Sequence, residues 1–325
     1  MTDRGGSVSG PDRDSVRAWV VVAAAFAALF TLFGVAFSFG AFFGPISAEF
    51  GAGRAAASVV FSLTSLLFFT LGALSGPAAD RLGPRPLLLV GAGAFGLGLA
   101  ATAAADRLWI AYLTYGVGVG VGVGCAYVPI IAAVGGWFGR RRALAVGVAV
   151  SGIGLGTLVA APLAARLIGA YGWRTVYLGF AVAGSAVLVL SALLIPAPPD
   201  APAGGRRRTG AALRTPIYRW LYLANLLLCL VLFVPFVHLP AFAEEAGVAP
   251  TAAAGLVGIV GATSILGRVV LGAVVDATGS YAPAIAALML LGLAAYAALL
   301  PLGRHVTARD SNHNDHPHLA SRRRE

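Results

Sequence analysis

Nine stretches of this chain are apolar for long enough to cross a bilayer, and no other feature constrains its fold as strongly. They run over 19–43, 56–75, 86–104, 109–134, 143–167, 176–195, 220–242, 252–275 and 281–302. A helix rises about 1.5 Å per residue, so runs of this length reach across the roughly 30 Å of hydrocarbon in a membrane. In lipid, each backbone N–H and C=O has to be satisfied inside the structure, and such runs do that as helices. Composition agrees. Of the 325 residues, 58% are hydrophobic and 11% charged, whereas a soluble domain is about 25% charged. The sequence therefore predicts an all-α integral membrane protein. A signal peptide has an apolar core of only about 7–15 residues, so the first run is expected to be retained as a span.

All 23 basic residues are arginines, and the net charge is +10. With the N-terminus placed in the cytoplasm, thirteen fall on inner segments: Arg4, Arg13, Arg17, Arg81, Arg85, Arg140, Arg141, Arg142, Arg206, Arg207, Arg208, Arg214 and Arg219. Arg54, Arg107 and Arg174 fall in outer loops and Arg166 near an outer helix end, while Arg304, Arg309 and Arg322 to Arg324, after the last run, would lie on the wrong side for the positive-inside rule. This bias predicts a multi-pass protein of the cell (plasma) membrane with a cytoplasmic N-terminus. It makes the lipid bilayer, and not nucleic acid, the partner of the basic charge.

Between the second and third runs lies Gly76-Pro77-Ala78-Ala79-Asp80-Arg81-Leu82-Gly83-Pro84-Arg85, read as a short polar turn. A weaker copy, Gly272-Ala273-Val274-Val275-Asp276-Ala277-Thr278-Gly279, lies 196 residues on. Gly76 and Gly272, Asp80 and Asp276, and Gly83 and Gly279 share that offset, which marks an internal repeat. Segment 196–216 is rich in proline and glycine, carries three consecutive arginines and reads as a flexible linker. The predicted organisation is an N-terminal six-helix bundle over 1–195, a cytoplasmic linker over 196–216, and a partial C-terminal bundle of about three helices over 217–302. Residues 303–325 form a polar tail, expected to be disordered or frame-shifted. No apolar run follows residue 302, so the chain reads as C-terminally truncated.

The pattern from Gly76 to Arg85, set between two spans and repeated, resembles the loop between helices 2 and 3 of the major facilitator superfamily. The stretch from Trp137 to Gly152 resembles the signature of the monocarboxylate porters, with Phe138, Arg140, Arg141, Leu144, Ala145, Gly147, Ala149 and Gly152 matching. Tyr171-Gly172-Trp173-Arg174 and Pro235-Phe236-Val237-His238-Leu239-Pro240 are similar to that branch as well, and the oxalate/formate exchangers share much of the pattern. The resemblance implies a major facilitator fold of two repeated halves and transport of small organic anions, monocarboxylates above all, by alternating access. It implies gating by Asp80, Arg81 and Arg85, which would contact neighbouring helix ends, with Gly76 and Gly83 permitting close approach. Arg268 falls where both branches place a substrate-binding arginine. The aspartate one turn earlier is Ser264, and the span-one lysine of the proton-coupled porters is missing, since the chain has no lysine. The chain also departs elsewhere: the signature before span one of the porters keeps only its ends, Asp14 and Trp19, and the span-eleven lysine of the exchangers is absent. A proton remains the candidate coupling ion, by a different route.

Read as residues alone, Arg268 is the one charge deep in the eighth span. An intramembrane arginine costs about 2.5–3.5 kcal/mol on insertion scales, so it faces a cavity and a partner. A substrate carboxylate could bind it with two hydrogen bonds. Alternatively it reaches the inner surface by snorkelling, as Asp276 is eight residues further on. His238 could accept a proton or simply be a satisfied helix-end residue. Tyr127 and Tyr115 could offer hydroxyls to a substrate. Gly116, Gly120 and Gly124 recur every fourth residue, as close helix packing requires. Gly152, Gly154, Gly156 and Pro162 are expected to do likewise from span five, across from span four. The phenylalanines of span one, Phe30, Phe33, Phe37 and Phe42, face either lipid or a pathway.

Other chemistry finds little support. Cys125 and Cys229 sit in apolar runs and read as small core residues. The glycine run of span four lacks the strand and helix that frame a phosphate loop. His313, Asp315, His316 and His318 imitate a metal site, but in the doubtful tail. No nucleophile–base pair is visible. The sequence predicts a transporter without cofactor or metal and not an enzyme. The alternatives are carriage of another solute, such as a drug or sugar, or a non-transporting remnant.

Overall fold

The computed structural model describes residues 15–51, 54–198 and 250–293, with single positions 215, 216, 219, 220 and 223. Each of the first six apolar runs forms one long helix: α1 (Val16–Phe50), α2 (Arg54–Leu82), α3 (Pro84–Ala103), α4 (Leu108–Trp137), α5 (Arg142–Tyr171) and α6 (Trp173–Leu194). The eighth run becomes α7 (Pro250–Thr278), and α8 (Ala282–Leu293) covers the described part of the ninth. Among the described residues there is no strand. The seventh run, with His238, lies outside them except at Trp220 and Leu223. Helices α1, α3, α4, α5 and α6 and the Gly261–Thr278 part of α7 are long and apolar enough to span a membrane. The chain is a multi-pass, all-helical membrane protein.

The helices overrun the apolar runs, because their ends are set by local chemistry and not by hydrophobicity. The Ser15 side chain accepts from the Ala18 N–H at 3.3 Å and starts α1 three residues before the apolar run. The motif expected as a polar turn is helical almost throughout. α2 continues through Asp80 and Arg81 to Leu82, α3 begins at Pro84, and Gly83 alone, at φ +80°, reverses the chain. Glycine reaches that conformation without a side-chain clash. Proline follows at the first helical position, where its missing N–H would have had no partner. The copy repeats the device: α7 runs to Thr278 and Gly279 has φ +65°.

Two compact units are present, Met1–Ala273 and Val274–Glu325. In the second, Val275 and Ala284 are buried. In the first, α1 packs against α4, α5 and α6, while α4 also takes α2 and α3. Small residues set these distances. A methyl group at Gly116, Gly120 or Gly124 would lie 2.8–2.9 Å from side-chain atoms of Leu63, Leu67 and Leu71, so the α4 stripe is filled by α2. Gly98 and Gly118 bring the backbones of α3 and α4 together. With α2 on the α4 stripe, the α5 glycines do not meet α4 as expected. Gly152 and Gly156 press on the Phe26 and Phe30 carbonyls of α1. Gly154, about 200° round the helix from Gly152, meets Gly261 and Ile265 of α7. Pro162 is exposed on α5 and takes no share in this packing.

Candidate functional site

Arg268 reaches its position because α5 offers no side chain at Gly147. A methyl group there would stand 2.6 Å from the Arg268 carbonyl oxygen, so α7 lies backbone to backbone on α5 at this level. Gly272 makes the same approach to Ala143, 2.8 Å from its carbonyl oxygen by the same measure. The two helices run antiparallel. The half-buried Arg268 side chain donates from Nη1 to the Val150 carbonyl at 3.0 Å. That is its one hydrogen bond among the described residues. A guanidinium has five N–H donors, and among the described residues the others of this one have no hydrogen-bond acceptor.

Tyr127 of α4 stands within electrostatic reach of that guanidinium. Its ring belongs to a cluster from three helices. Phe33 of α1 is the hub, with ring centroids 5.6 Å from Tyr127, 5.9 Å from Phe68 of α2 and 6.0 Å from Phe37. Tyr127 and Phe68 meet edge to face at 5.7 Å. Phe33 and Phe68 lie midway along their helices, so the cluster is at mid-membrane depth. Arg268 and Tyr127 thus lie within electrostatic range of each other. Tyr115 is engaged elsewhere: its buried hydroxyl donates to the Val35 carbonyl at 3.0 Å and ties α4 to α1. Phe42 is also internal, stacked on Tyr177 at 3.9 Å.

At the arginine-rich end, Arg85 donates from Nε to Ala192 O at 3.2 Å and from Nη2 to Leu193 O at 2.7 Å. These are last-turn carbonyls of α6, which lack partners within their own helix and attract a cation. Asp80 and Arg81 are exposed beside it. Gly76 lies against α4, 3.3 Å from Val128 by the methyl measure. Arg17 of α1 stands over the Trp137 ring at 5.8 Å, and Trp19 meets Phe138 edge-on at 5.2 Å.

The opposite end holds a clasp that the sequence reading missed. Glu49 Oε2 accepts from Trp173 Nε1, and Oε1 from Arg174 Nη2, each at 2.7 Å. Arg174 Nη1 donates to the Ala103 and Ala105 carbonyls, also at 2.7 Å, and its guanidinium lies 4.5 Å from the Trp173 ring centre. The signal was available: Glu49 closes the first apolar helix, and Trp173-Arg174 opens the sixth.

Long apolar helices packed through glycine, with one half-buried cation between two of them, define an integral membrane protein built around an internal polar point. Residues 24–308 match the family model of the Major Facilitator Superfamily. The chain belongs to that superfamily. It is 30% identical over 279 residues to MFS-type transporter pynF of Aspergillus niger, covering 83% of this chain and 64% of the fungal protein. It is 31% identical over 264 residues to monocarboxylate transporter 13 of Rattus norvegicus, covering 80% and 61% of the two chains. With monocarboxylate transporter 3 of the same organism it shares 32% identity over 269 residues, covering 78% and 54%. The chain therefore spans somewhat over half the length of these three relatives.

Proposed function

We propose that this chain carries small monocarboxylates across the cell membrane by alternating access, as a secondary transporter with its N-terminus in the cytoplasm. One observation carries the reading: a half-buried guanidinium, Arg268, whose one hydrogen bond among the described residues is to a backbone carbonyl, within electrostatic range of Tyr127. A carboxylate offers this group a charged, two-point partner worth more than a neutral acceptor. Two relatives are named as monocarboxylate transporters, which supports the same class. In this reading, 1–195 and 217–302 belong to the two halves joined by the 196–216 linker. Asp80, Arg81 and Arg85 act as the gate, with Gly76 and Gly83. His238 is the candidate proton acceptor. The relative named only as an MFS-type transporter keeps a second reading in view, that of another solute.

The test is uptake of labelled pyruvate and lactate into proteoliposomes, with and without an imposed pH gradient. Arg268→Ala is expected to remove uptake and Arg268→Lys to restore part of it. Uptake that survives Arg268→Ala unchanged would favour the second reading.

A further inference from the structure

We propose that the cleft between α5 and α6, at the end of the bundle that holds the Glu49 clasp, binds one acyl chain of a membrane phospholipid. The site is independent of which solute the protein carries.

α5 and α6 are joined by Gly172 alone, yet they do not close on each other beyond it. Between them lies a groove of about 310 Å³. Its floor is Gly179, where an added methyl would meet no atom within 4 Å. Leu167 of α5 and Val176, Phe180 and Ala183 of α6 form apolar walls. Phe180 is backed by Phe42, with ring centroids 6.0 Å apart. The mouth is different in kind. It is formed by Tyr171, the last residue of α5, and Thr175, near the start of α6, both exposed and both bearing a hydroxyl. From Thr175 to Ala183 the groove descends about 12 Å along α6, close to the ~15 Å that one leaflet contributes to the hydrocarbon core. It is continuous with the apolar surface that the bundle turns to lipid. Leu163, one turn before Leu167, is 45% exposed, and Val182, next to Ala183, is 73% exposed.

Hydrocarbon exerts no hydrophobic force to close such a cleft, because lipid tails are as apolar as its walls. What counts is contact. An empty groove leaves its walls without partner atoms and forfeits their dispersion attraction. Water is a poor filling, since it needs two to four polar partners and the walls below the mouth are apolar. The dimensions select the occupant. Spread over its depth, the groove has a cross-section of roughly 25 Å², about a third of that of a helix 10 Å across, so it admits a single chain and no further helix. The polarity also matches that of a lipid, with hydroxyls for ester oxygens at the membrane surface and apolar walls for methylenes beneath. Gly179 lets the chain lie directly on the α6 backbone.

Native mass spectrometry of the purified 325-residue chain, released from detergent micelles containing dioleoyl phosphatidylethanolamine, counts the lipids held per chain. Gly179→Leu and Ala183→Leu fill the groove from its floor and its wall. Gly169→Leu is the control. It has equally open space around it, but lies two residues and about 200° from Leu167 on α5. Wild type is expected to keep one phospholipid under activation that strips the rest, both filling variants to lose that occupancy ~10-fold or more, and Gly169→Leu to match wild type within ~2-fold. Added lipid should raise the melting temperature of wild type and Gly169→Leu, but not that of Gly179→Leu or Ala183→Leu. Retention of the lipid by both filling variants, equal loss from Gly169→Leu, or no lipid held after stripping would overturn the proposal. A dimer present in wild type and abolished by Gly179→Leu would assign the groove to a second copy, and would overturn it as well.

Discussion

Arg174 Nη2 stands 2.7 Å from Glu49 Oε1, joining residues 125 positions apart at one end of the helix bundle. The two side chains are 37% and 43% exposed, so water weakens the ion pair itself to about 0.5–1 kcal/mol. Arg174 does more, because the same guanidinium satisfies the Ala103 and Ala105 carbonyls and lies on the Trp173 ring. Thermal unfolding in detergent should show Glu49→Gln costing about 0.5–1 kcal/mol and Arg174→Ala about 2–3 kcal/mol. Equal losses would mean that the carbonyl contacts contribute nothing.

A side chain at Gly83 or Gly279 would be strained by the backbone, since both have positive φ and neither has a neighbouring atom within 4 Å of an added methyl. Alanine at either position is expected to cost about 1–2 kcal/mol. Gly93→Ala is the control. It lies within α3 with no atom inside 4 Å, and alanine there should be neutral or stabilise by up to about 1 kcal/mol. Chemical denaturation of the three variants side by side decides it.

Arg85 and Asp80 separate structure from gating. Arg85→Ala leaves two α6 carbonyls without their cation and should lower stability by about 1–2 kcal/mol, with Arg85→Lys recovering only part. Asp80 is exposed, so Asp80→Asn should stay within about 0.5 kcal/mol of wild type. If it belongs to the gate, its uptake rate changes while its melting temperature does not. Uptake equal to wild type would remove Asp80 from the gate.

Gly147 tests whether the placement of Arg268 matters as well as its charge. Valine at 147 has to push α7 away from α5, at a cost of about 1–3 kcal/mol, and should abolish anion uptake with Arg268 intact. Gly267→Ala, adjacent to Arg268 but with no atom within 4 Å, should keep both stability and uptake. Loss of uptake in both variants would contradict the packing explanation.

Span positions could be read from the sequence because a helix in lipid leaves a continuous apolar record. Helix ends left a fainter one. The polar residues Asp80 and Arg81 look like a turn, yet helix persists through them and the reversal is made by Gly83 alone. The α4 stripe of Gly116, Gly120 and Gly124 could be recognised by its spacing, but spacing does not name the partner. Gly152 and Gly156 met α1, since α2 already occupied α4. Arg268 stood out as a lone charge in an apolar run, whereas Phe33, Phe68 and Tyr127 became one cluster only when three helices were brought together. The Glu49 clasp escaped notice because its two ends lie five helices apart in sequence.

Helix α5 has glycine on both flanks, Gly152 and Gly156 toward α1 and Gly147 and Gly154 toward α7. Side-chain ridges normally seat in a neighbour's grooves and hold two helices in register. Flanks lined by glycine let both neighbours come to backbone contact instead, so α5 acts as a thin spacer that sets how far apart the helices bearing Phe33 and Arg268 are held.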